Sequence, residues 1–281
     1  RPTSATDIRA LTRTDNYLLG RAENEVARLR RQIETLAPDS RAQLDRIGIK
    51  PGERVIDIGC GPGGVLHLLA ERVGAAGSVL GIERSPHFVE LARRFAADLG
   101  LLQVEVRDSD AYDTKLPKGS FDGAHMRLVL VNVPEPGRIV REMVSLVRPG
   151  GWVASFEADY LPYCCDPPIE AWTRLLDSYS AYARAQGIDL SVGRRTHSLF
   201  KDAGVVDMRV DAVVHVFPPD HERRRFPSAL IGNVRERLID GGFVTEAEID
   251  RDLAALESHL ADADVQVISN MFFRLTGRLP E

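Results

Sequence analysis

The chain has 281 residues, which is enough for one full α/β domain with appended elements or for two small domains. Its hydrophobic content of 44% and charged content of 27% are ordinary for a globular protein. The net charge of −5 disfavours a nucleic-acid partner, because phosphate backbones bind basic surfaces. No stretch approaches the roughly 20 apolar residues of a membrane-spanning helix.

Cysteine usage and the N-terminal segment indicate the compartment. Cys60, Cys164 and Cys165 are too few for a disulfide framework and lack the paired spacing of a zinc site. Residues 1–14 are polar and lack the apolar segment of a secretion signal. We therefore expect a cytoplasmic protein without a bound metal.

The first periodic segment predicts an amphipathic helix. Its apolar residues recur at alternating spacings of four and three, at Ala22, Val26, Leu29, Ile33 and Leu36. Proline cannot donate a backbone hydrogen bond, so the helix is expected to end near Pro38, with a second short helix over residues 39–47. The apolar face could pair with a second copy of the chain, which predicts a homo-oligomer.

Strands and helices then alternate. Short apolar runs predict strands over residues 54–58, 78–82, 104–106, 123–130 and 152–156. Helices are predicted over residues 64–73, 86–99 and 136–147. This alternation argues for a parallel sheet covered on both faces by right-handed crossover helices.

Past Asp159 the pattern changes. A proline-containing segment and an aromatic-rich helix occupy residues 160–198. Alternation predicts a strand over 206–217, and a final strand is expected over 265–273. A helix is expected to begin at Thr245, where Glu248 completes a capping box. The basic run at residues 223–225 is interpreted as a solvated face.

A glycine loop joins the first predicted strand to the first crossover helix. Read as Gly59, Gly61 and Gly64, it satisfies the dinucleotide pattern GxGxxG. Glu83, at the end of the next strand, could hold a ribose diol of either a dinucleotide or another nucleoside. The glycines alone therefore leave the ligand open.

Two neighbours of the glycines discriminate between ligands. Pro62 removes a backbone donor from the turn, and Asp57 places a carboxylate two residues before Gly59. Both are unfavourable beside a pyrophosphate. They favour a phosphate-free cationic ligand that carries an ammonium and a sulfonium.

The loop and four later segments resemble, in order, the motifs of class I S-adenosylmethionine-dependent methyltransferases. The later segments are Glu83, residues 108–111 (DSDA), residues 119–122 (GSFD) and residues 147–151 (VRPGG). The resemblance implies a Rossmann-like α/β fold with a seven-stranded, mostly parallel sheet and helices on both faces. It also implies an N-terminal helical arm or lid at 1–48, a cofactor-binding core at 49–160, and helical cap segments with the last two strands at 161–281.

The flanks are similar to bacterial small-molecule methyltransferases related to the ubiquinone and menaquinone C-methyltransferases. The similar segments are residues 17–21 (YLLGR), Glu25, Arg28, Leu29 and Gln32, residues 193–195 (GRR) and residues 277–280 (GRLP). The chain also resembles enzymes that methylate a prenyl side chain of teleocidin-type indole alkaloids. The resemblance implies methyl transfer to an apolar small molecule of specialised or quinone-like metabolism.

Cofactor-binding roles follow from these motifs. Asp57 is expected to bind the methionine ammonium and Glu83 the ribose, while Asp110 or its neighbour Asp108 binds adenine. The remaining candidates are the close-approach glycines Gly59, Gly61 and Gly63, the loop residues Arg84 and Ala111, the strand residues Arg127 and Leu128 beside the methyl group, Tyr17 as an aromatic lid and Arg21 on the methionine carboxylate.

A general base is needed only when the acceptor atom must lose a proton. Glu157 and Asp159 are candidates because ligands bind at the carboxyl edge of such sheets. Tyr17 is expected to take part in catalysis as the aromatic lid, since a π face attracts a sulfonium. The histidines at 125, 197 and 215 are interpreted as structural. Aromatic residues of the second half are expected to cap an acceptor pocket: Trp172, Tyr179, Tyr182, Phe226 and Phe243.

Three other functions remain open from the sequence. One is O- or N-methylation of another small molecule, and a second is an NAD-dependent oxidoreductase using the same glycine loop. The third is a cofactor-binding pericyclase or regulator that transfers no methyl group.

Overall fold

The computed structural model of the protein describes residues 23–281, with side chains from residue 33 onward. Seven strands form one sheet in the order β3-β2-β1-β4-β5-β10-β7. They are β1 (Arg54–Ile58), β2 (Ser78–Glu83), β3 (Val104–Asp108), β4 (Phe121–Arg127), β5 (Val147–Asp159), β7 (Val206–Val213) and β10 (Met271–Arg278). Only β10 is antiparallel to its neighbours. The predicted Rossmann-like, mostly parallel sheet is therefore confirmed.

Helices cover both faces of this sheet. The α-helices of the described chain are α1 (Glu23–Ile47), α2 (Leu66–Val73), α3 (Pro86–Asp98), α4 (Pro136–Leu146), α5 (Glu170–Ala185), α6 (Thr196–Asp202), α7 (Phe226–Asp240) and α8 (Glu246–Leu260). Side chains alternate along β1: Ile56 and Ile58 pack in the cluster that holds α4, and Val55 packs with α2 and α3. Two apolar layers, one on each face, therefore hold β1 and its neighbouring strands in place.

A second, three-stranded sheet lies in the second half. It consists of β6 (Cys164–Asp166), β9 (Gln266–Ile268) and β8 (Val216–Phe217), in that order. The division into arm, core and cap remains a prediction, since one buried cluster joins residues of the core strands to residues of the second half. In the described part of the chain, no helix is both long and apolar enough to cross a membrane.

The predicted end of the first helix near Pro38 is wrong, because α1 continues through this proline to Ile47. Tertiary contacts on both sides of Pro38 override the lost hydrogen bond. Leu36 and Leu44 are fully buried. Gln43 Nε2 donates to the carbonyl oxygens of Ser155 and Leu275, at 2.8 and 3.0 Å, and so anchors the helix to the sheet.

Two predicted strands of the second half are also wrong, because each divides between the two sheets. The 206–217 segment leaves β7 and re-forms as β8, and the 265–273 segment divides into β9 and β10. The two breaks face each other: Ser269 N donates to the His215 carbonyl at 2.8 Å, and His215 N donates to Ser269 Oγ at 2.9 Å. Alternation alone could not show this exchange, since apolar residues alternate without interruption from Val206 to Val216, through the first break.

The prediction of a strand continuing to residue 130 is likewise wrong. Strand β4 ends at Arg127, because Leu128 has a φ of 56°, which turns the backbone out of the sheet. The capping box of α8 is confirmed, with Glu248 N donating to Thr245 Oγ1 at 3.3 Å.

The basic run at residues 223–225 is not a solvated face. Arg223 and Arg224 are only 6% and 3% exposed. The guanidinium of Arg224 donates to the carbonyl oxygens of Leu260, Asp262 and Val265. It therefore satisfies the C-terminal end of α8 and the loop after it.

Candidate active site

A cavity lies at the carboxyl edge of the large sheet, where β1, β2, β3 and β4 end. The loop after β1 forms its floor, and the segments after β2 and β3 form one side. The turn after β4 forms the other side, and Ile33 of α1, Ile139 of α4 and Tyr160 after β5 also line the cavity. This is the position at which open α/β sheets bind ligands.

The glycine loop brings its backbone to the cavity through residues with positive φ. Gly59 and Gly61 have φ of 66° and 56°, and both line the cavity. A Cβ added to Gly59 would lie 2.7 Å from Val129 Cγ2, so a larger residue would displace the opposite wall. Gly61 N donates to Glu83 Oε2 at 3.2 Å.

Two further glycines of the loop have packing tasks. Gly63 does not line the cavity, and a Cβ there would lie 2.7 Å from Phe95 Cδ1 on α3. Gly64 lines the cavity, and an added Cβ would collide with the guanidinium of Arg127. The sequence did not predict that Gly64 leaves space for Arg127, because the two residues are distant along the chain.

Glu83 is positioned by two backbone donors at the end of β2. Its Oε2 accepts from Gly61 N, and its Oε1 accepts from Ser85 N at 2.8 Å. Burial raises the pKa of this carboxyl, and the two amide donors oppose that shift. Exposed Arg84 lines the cavity beside it.

Asp57 lines the cavity and is 2% exposed. Its Oδ1 lies 2.7 Å from Nδ1 of His125, which is fully buried in β4. The two residues are directly opposite in the parallel pairing of β1 and β4. His125, which was predicted to be structural, therefore orients Asp57. The sequence could not show this contact, because it depends on the register between β1 and β4.

The segment after β3 places Asp110 and Ala111 on the cavity, together with Ser109 and Tyr112. Asp110 Oδ1 accepts from Tyr112 N at 2.9 Å, which fixes the turn. Asp108 is not among the lining residues. Of the two aspartates weighed for adenine, Asp110 is therefore the one that borders the cavity.

Arg127, the last residue of β4, lines the cavity with Leu128. Its Nη1 donates to Ser40 Oγ on α1 at 3.0 Å. Burial lowers the pKa of Arg127 to about 10, with the nearby Asp57 carboxylate opposing the shift. The guanidinium still carries its charge at neutral pH.

Neither carboxylate predicted as a base lines the cavity. Glu157 Oε1 accepts from Val129 N and Leu130 N, at 3.0 and 3.1 Å. Asp159 forms an ion pair with Arg194 and accepts from Leu161 N at 3.0 Å. Both side chains thus hold backbone segments in place, and direct catalysis by either remains a prediction.

Other candidates lie away from the cavity or outside the described residues. Tyr17 and Arg21 lie outside the described residues. None of the five predicted cap aromatics lines the cavity, although Tyr160, which does, stacks on Phe226 at 6.2 Å. The remaining histidines lie elsewhere, with His215 bonded to Asp39 and His197 exposed.

Comparison with known proteins identifies the central part of the chain. The sequence profile described as Methyltransferase domain matches residues 49–191. An uncharacterised 37.1 kDa transposon protein of Streptomyces fradiae is 31% identical over 74% of this chain and 64% of its own length. Nocamycin O-methyltransferase of Saccharothrix syringae is 36% identical over 42% of each chain.

Demethylmenaquinone methyltransferase of Listeria monocytogenes is 28% identical over 48% of this chain and 54% of its own length. The chain thus spans less than two thirds of each of these three relatives.

Solved structures share the fold at low identity. A Bacillus halodurans protein assigned as a methyltransferase matches with a TM-score of 0.61 at 16% identity, covering 87% of this chain and all of its own. A Haemonchus contortus phosphoethanolamine N-methyltransferase, solved with S-adenosylhomocysteine, matches with a TM-score of 0.56 at 19% identity, covering 87% of this chain and 53% of its own.

Proposed function

Because the chain belongs to the Methyltransferase domain family, we propose that it transfers the methyl group of S-adenosyl-L-methionine to an apolar small molecule. The observation that carries this proposal is the convergence of Asp57, Glu83 and Asp110 on one cavity. They lie in or just after the adjacent strands β1, β2 and β3, and this order suits an ammonium, a ribose diol and an adenine.

S-adenosyl-L-methionine would supply an activated methyl group when bound. The residues of this chain bind and orient the two reactants. Asp57, held by His125, offers its carboxylate to the methionine ammonium. Glu83 presents a half-buried carboxylate to the ribose hydroxyls. Arg127 offers a half-buried cation to the methionine carboxylate beside the methyl position.

The geometry of the loop argues against the dinucleotide alternative. In a pyrophosphate site, the loop amides must point at phosphate oxygens. Here Gly61 N donates to the Glu83 carboxylate instead, and Pro62 has no N–H to offer. Asp57 would repel a phosphate from the same cavity.

An apolar acceptor fits the turn after β4 and the start of α4. The cavity is lined there by Leu128, Val129, Val133, Pro134 and Ile139. The relatives named for demethylmenaquinone and nocamycin support a quinone-like or specialised metabolite as acceptor. C-methylation of a prenylated acceptor is the finer form of the proposal, and O- or N-methylation is its alternative.

Two binding titrations test the cofactor. S-adenosylhomocysteine is expected to bind with a micromolar or lower Kd, and NADH is expected not to bind. Tight binding of NADH alone would refute the methyltransferase proposal. Glu53→Gln, at the opposite edge of the sheet, serves as a control that should keep the affinity of the unaltered chain.

The acceptor is tested with methyl-labelled S-adenosylmethionine and a panel of demethylated quinones, prenylated indoles and polyketide-type enols. Label is expected in one extracted organic product, whose mass spectrum identifies the methylated atom. Binding of S-adenosylhomocysteine without transfer to any acceptor would favour the pericyclase or regulator alternative.

A further inference from the structure

The turn after β4 forms one wall of the cavity and has an unfavourable backbone. Leu128, Val129 and Asn132 line the cavity from this turn. Leu128 has a φ of 56°, in the left-handed region that residues with a Cβ rarely adopt. Contacts from the surrounding structure must therefore hold the turn in this shape.

The carboxylate of Glu157 supplies such contacts from behind the wall. Its side chain is fully buried, and its Oε1 accepts from Val129 N and Leu130 N at 3.0 and 3.1 Å. These two amides lie at the start of the 3₁₀ turn Leu130–Asn132, where intrahelical acceptors are lacking. The side chain reaches the cavity wall only through the backbone of the turn.

The rest of the turn depends on the same geometry. Leu128 N donates to the Phe156 carbonyl at 2.9 Å, and Asn132 Nδ2 donates to the Leu128 carbonyl at 2.8 Å. The Val129 side chain lies against Gly59, whose added Cβ would be 2.7 Å from it. A movement of Val129 would thus change the wall and the glycine loop together.

We propose that Glu157 is a positioning residue, whose Oε1 fixes the turn at residues 128–132 and thereby the shape of the cavity that aligns methyl donor and acceptor. It is not the general base. The identity of the methyl donor and acceptor rests on the proposed function, whereas the conformation of the turn can be measured without any ligand.

Three substitutions separate the two roles. Glu157→Gln keeps a carbonyl oxygen where Oε1 lies and removes the ability to accept a proton. Glu157→Leu removes the acceptor at similar volume. Glu157→Asp keeps the charge but withdraws the oxygens by one methylene, and it serves if the leucine variant does not fold. The matched control is Glu53→Leu, which loses a bond from Trp152 Nε1 at the opposite edge of the sheet.

The readouts are amide hydrogen exchange in the peptide that contains Val129 and Leu130, and the Kd of S-adenosylhomocysteine. In the leucine and aspartate variants, exchange is expected to accelerate about tenfold or more, since buried amides lose their acceptor. The Kd is expected to rise about tenfold in the same variants. The glutamine variant and the Glu53 control should stay within about threefold of the unaltered chain in both readouts.

Unchanged exchange and Kd in the leucine and aspartate variants would overturn the positioning role. So would a glutamine variant that behaves like the leucine variant. The kcat of Glu157→Gln can also be measured with an acceptor from the labelled-methyl screen. A loss of kcat above a hundredfold, with unchanged amide hydrogen exchange, would make Glu157 a proton-transfer group. If S-adenosylhomocysteine does not bind the unaltered chain, the proposed function fails, while the exchange data still decide the role of Glu157.

Discussion

The two halves of the molecule use the same types of side chain for different tasks. Between β1 and β4, Asp57, Glu83 and Asp110 border the cavity. In the second half, Arg224 instead holds three carbonyl oxygens, and Asp252 is bound by Arg174 at 2.8 and 2.9 Å. Polar groups of the first half are thus available to a ligand, and those of the second half join segments of the chain. Substitutions in the two halves should therefore separate binding from stability.

Loss of Arg224 is expected to have the largest effect on stability. Arg224→Met removes the bonds to three carbonyl oxygens, of which Asp262 O keeps a backbone donor, and should lower the free energy of unfolding by about 4 kcal/mol. Urea denaturation followed by circular dichroism measures it, and the Kd of S-adenosylhomocysteine should not change while the chain is folded. Arg225→Ala, which removes an exposed pair with Glu257, is the control with little effect. A higher Kd of S-adenosylhomocysteine in folded Arg224→Met would show that the second half also contributes to binding.

Glu157 predicts a pH-dependent stability. Burial raises its pKa to about 7 in the folded chain, from an ordinary value near 4.5. The folded state then binds more protons than the unfolded state between these values, so this group lowers stability as pH rises from about 4.5 to about 7. The contribution approaches about 3 kcal/mol. The free energy of unfolding is measured at pH 5 and pH 8 for Glu157→Gln and the unaltered chain. The variant should be more stable relative to the unaltered chain at pH 8 than at pH 5. An equal difference between the two proteins at both pH values would contradict the raised pKa.

In the first half, the carboxylate of Asp57 should matter for binding. Asp57→Asn keeps an acceptor for His125 but removes the charge, so the Kd of S-adenosylhomocysteine should rise about thirtyfold, or about 2 kcal/mol. Calorimetric titration measures it, with unfolding unchanged within about 1 kcal/mol. Asp108→Asn, on a residue outside the cavity lining, is the matched control. Equal affinities of the two variants would remove Asp57 from the site.

The smallest expected effect is at Gly64. Gly64→Ala would push against the Arg127 guanidinium, which is half-buried and can shift at its far end. We expect about a fivefold weaker Kd for S-adenosylhomocysteine, or about 1 kcal/mol. Gly232→Ala, at a helical position with open space, is the control. A full loss of folding would show that the guanidinium cannot shift.

Sequence patterns were sufficient for β1, β2 and α3 of the first half because their interactions are local. The strand Arg54–Ile58 was predicted with its observed bounds, and β2 and α3 differ by one residue at an end. Residues with positive φ, such as Gly59 and Gly61, are marked by their type. The order of the acidic residues along the chain follows the order of the parallel strands.

The second half required the tertiary structure. Apolar residues alternate through the break near His215, and only its bonds with Ser269 show the change of sheet. Tertiary contacts also decided the first helix, where Pro38 predicts a helix end although Gln43 and the buried leucines around it keep α1 continuous. The sequence predicts a solvated Arg224, because its carbonyl partners are more than 30 residues away along the chain.

The sequence by itself determined the fold class, the glycine loop and several of the residues that border the cavity, such as Asp57, Glu83 and Asp110, because each depends on neighbours along the chain or on strand order. The tertiary structure decided which side chains stand behind them. His125 supports Asp57 across a strand pair, Glu157 supports the turn after β4, and Arg127 fills the space that Gly64 leaves. These contacts join residues 27 to 68 positions apart, and no local periodicity encodes such distances.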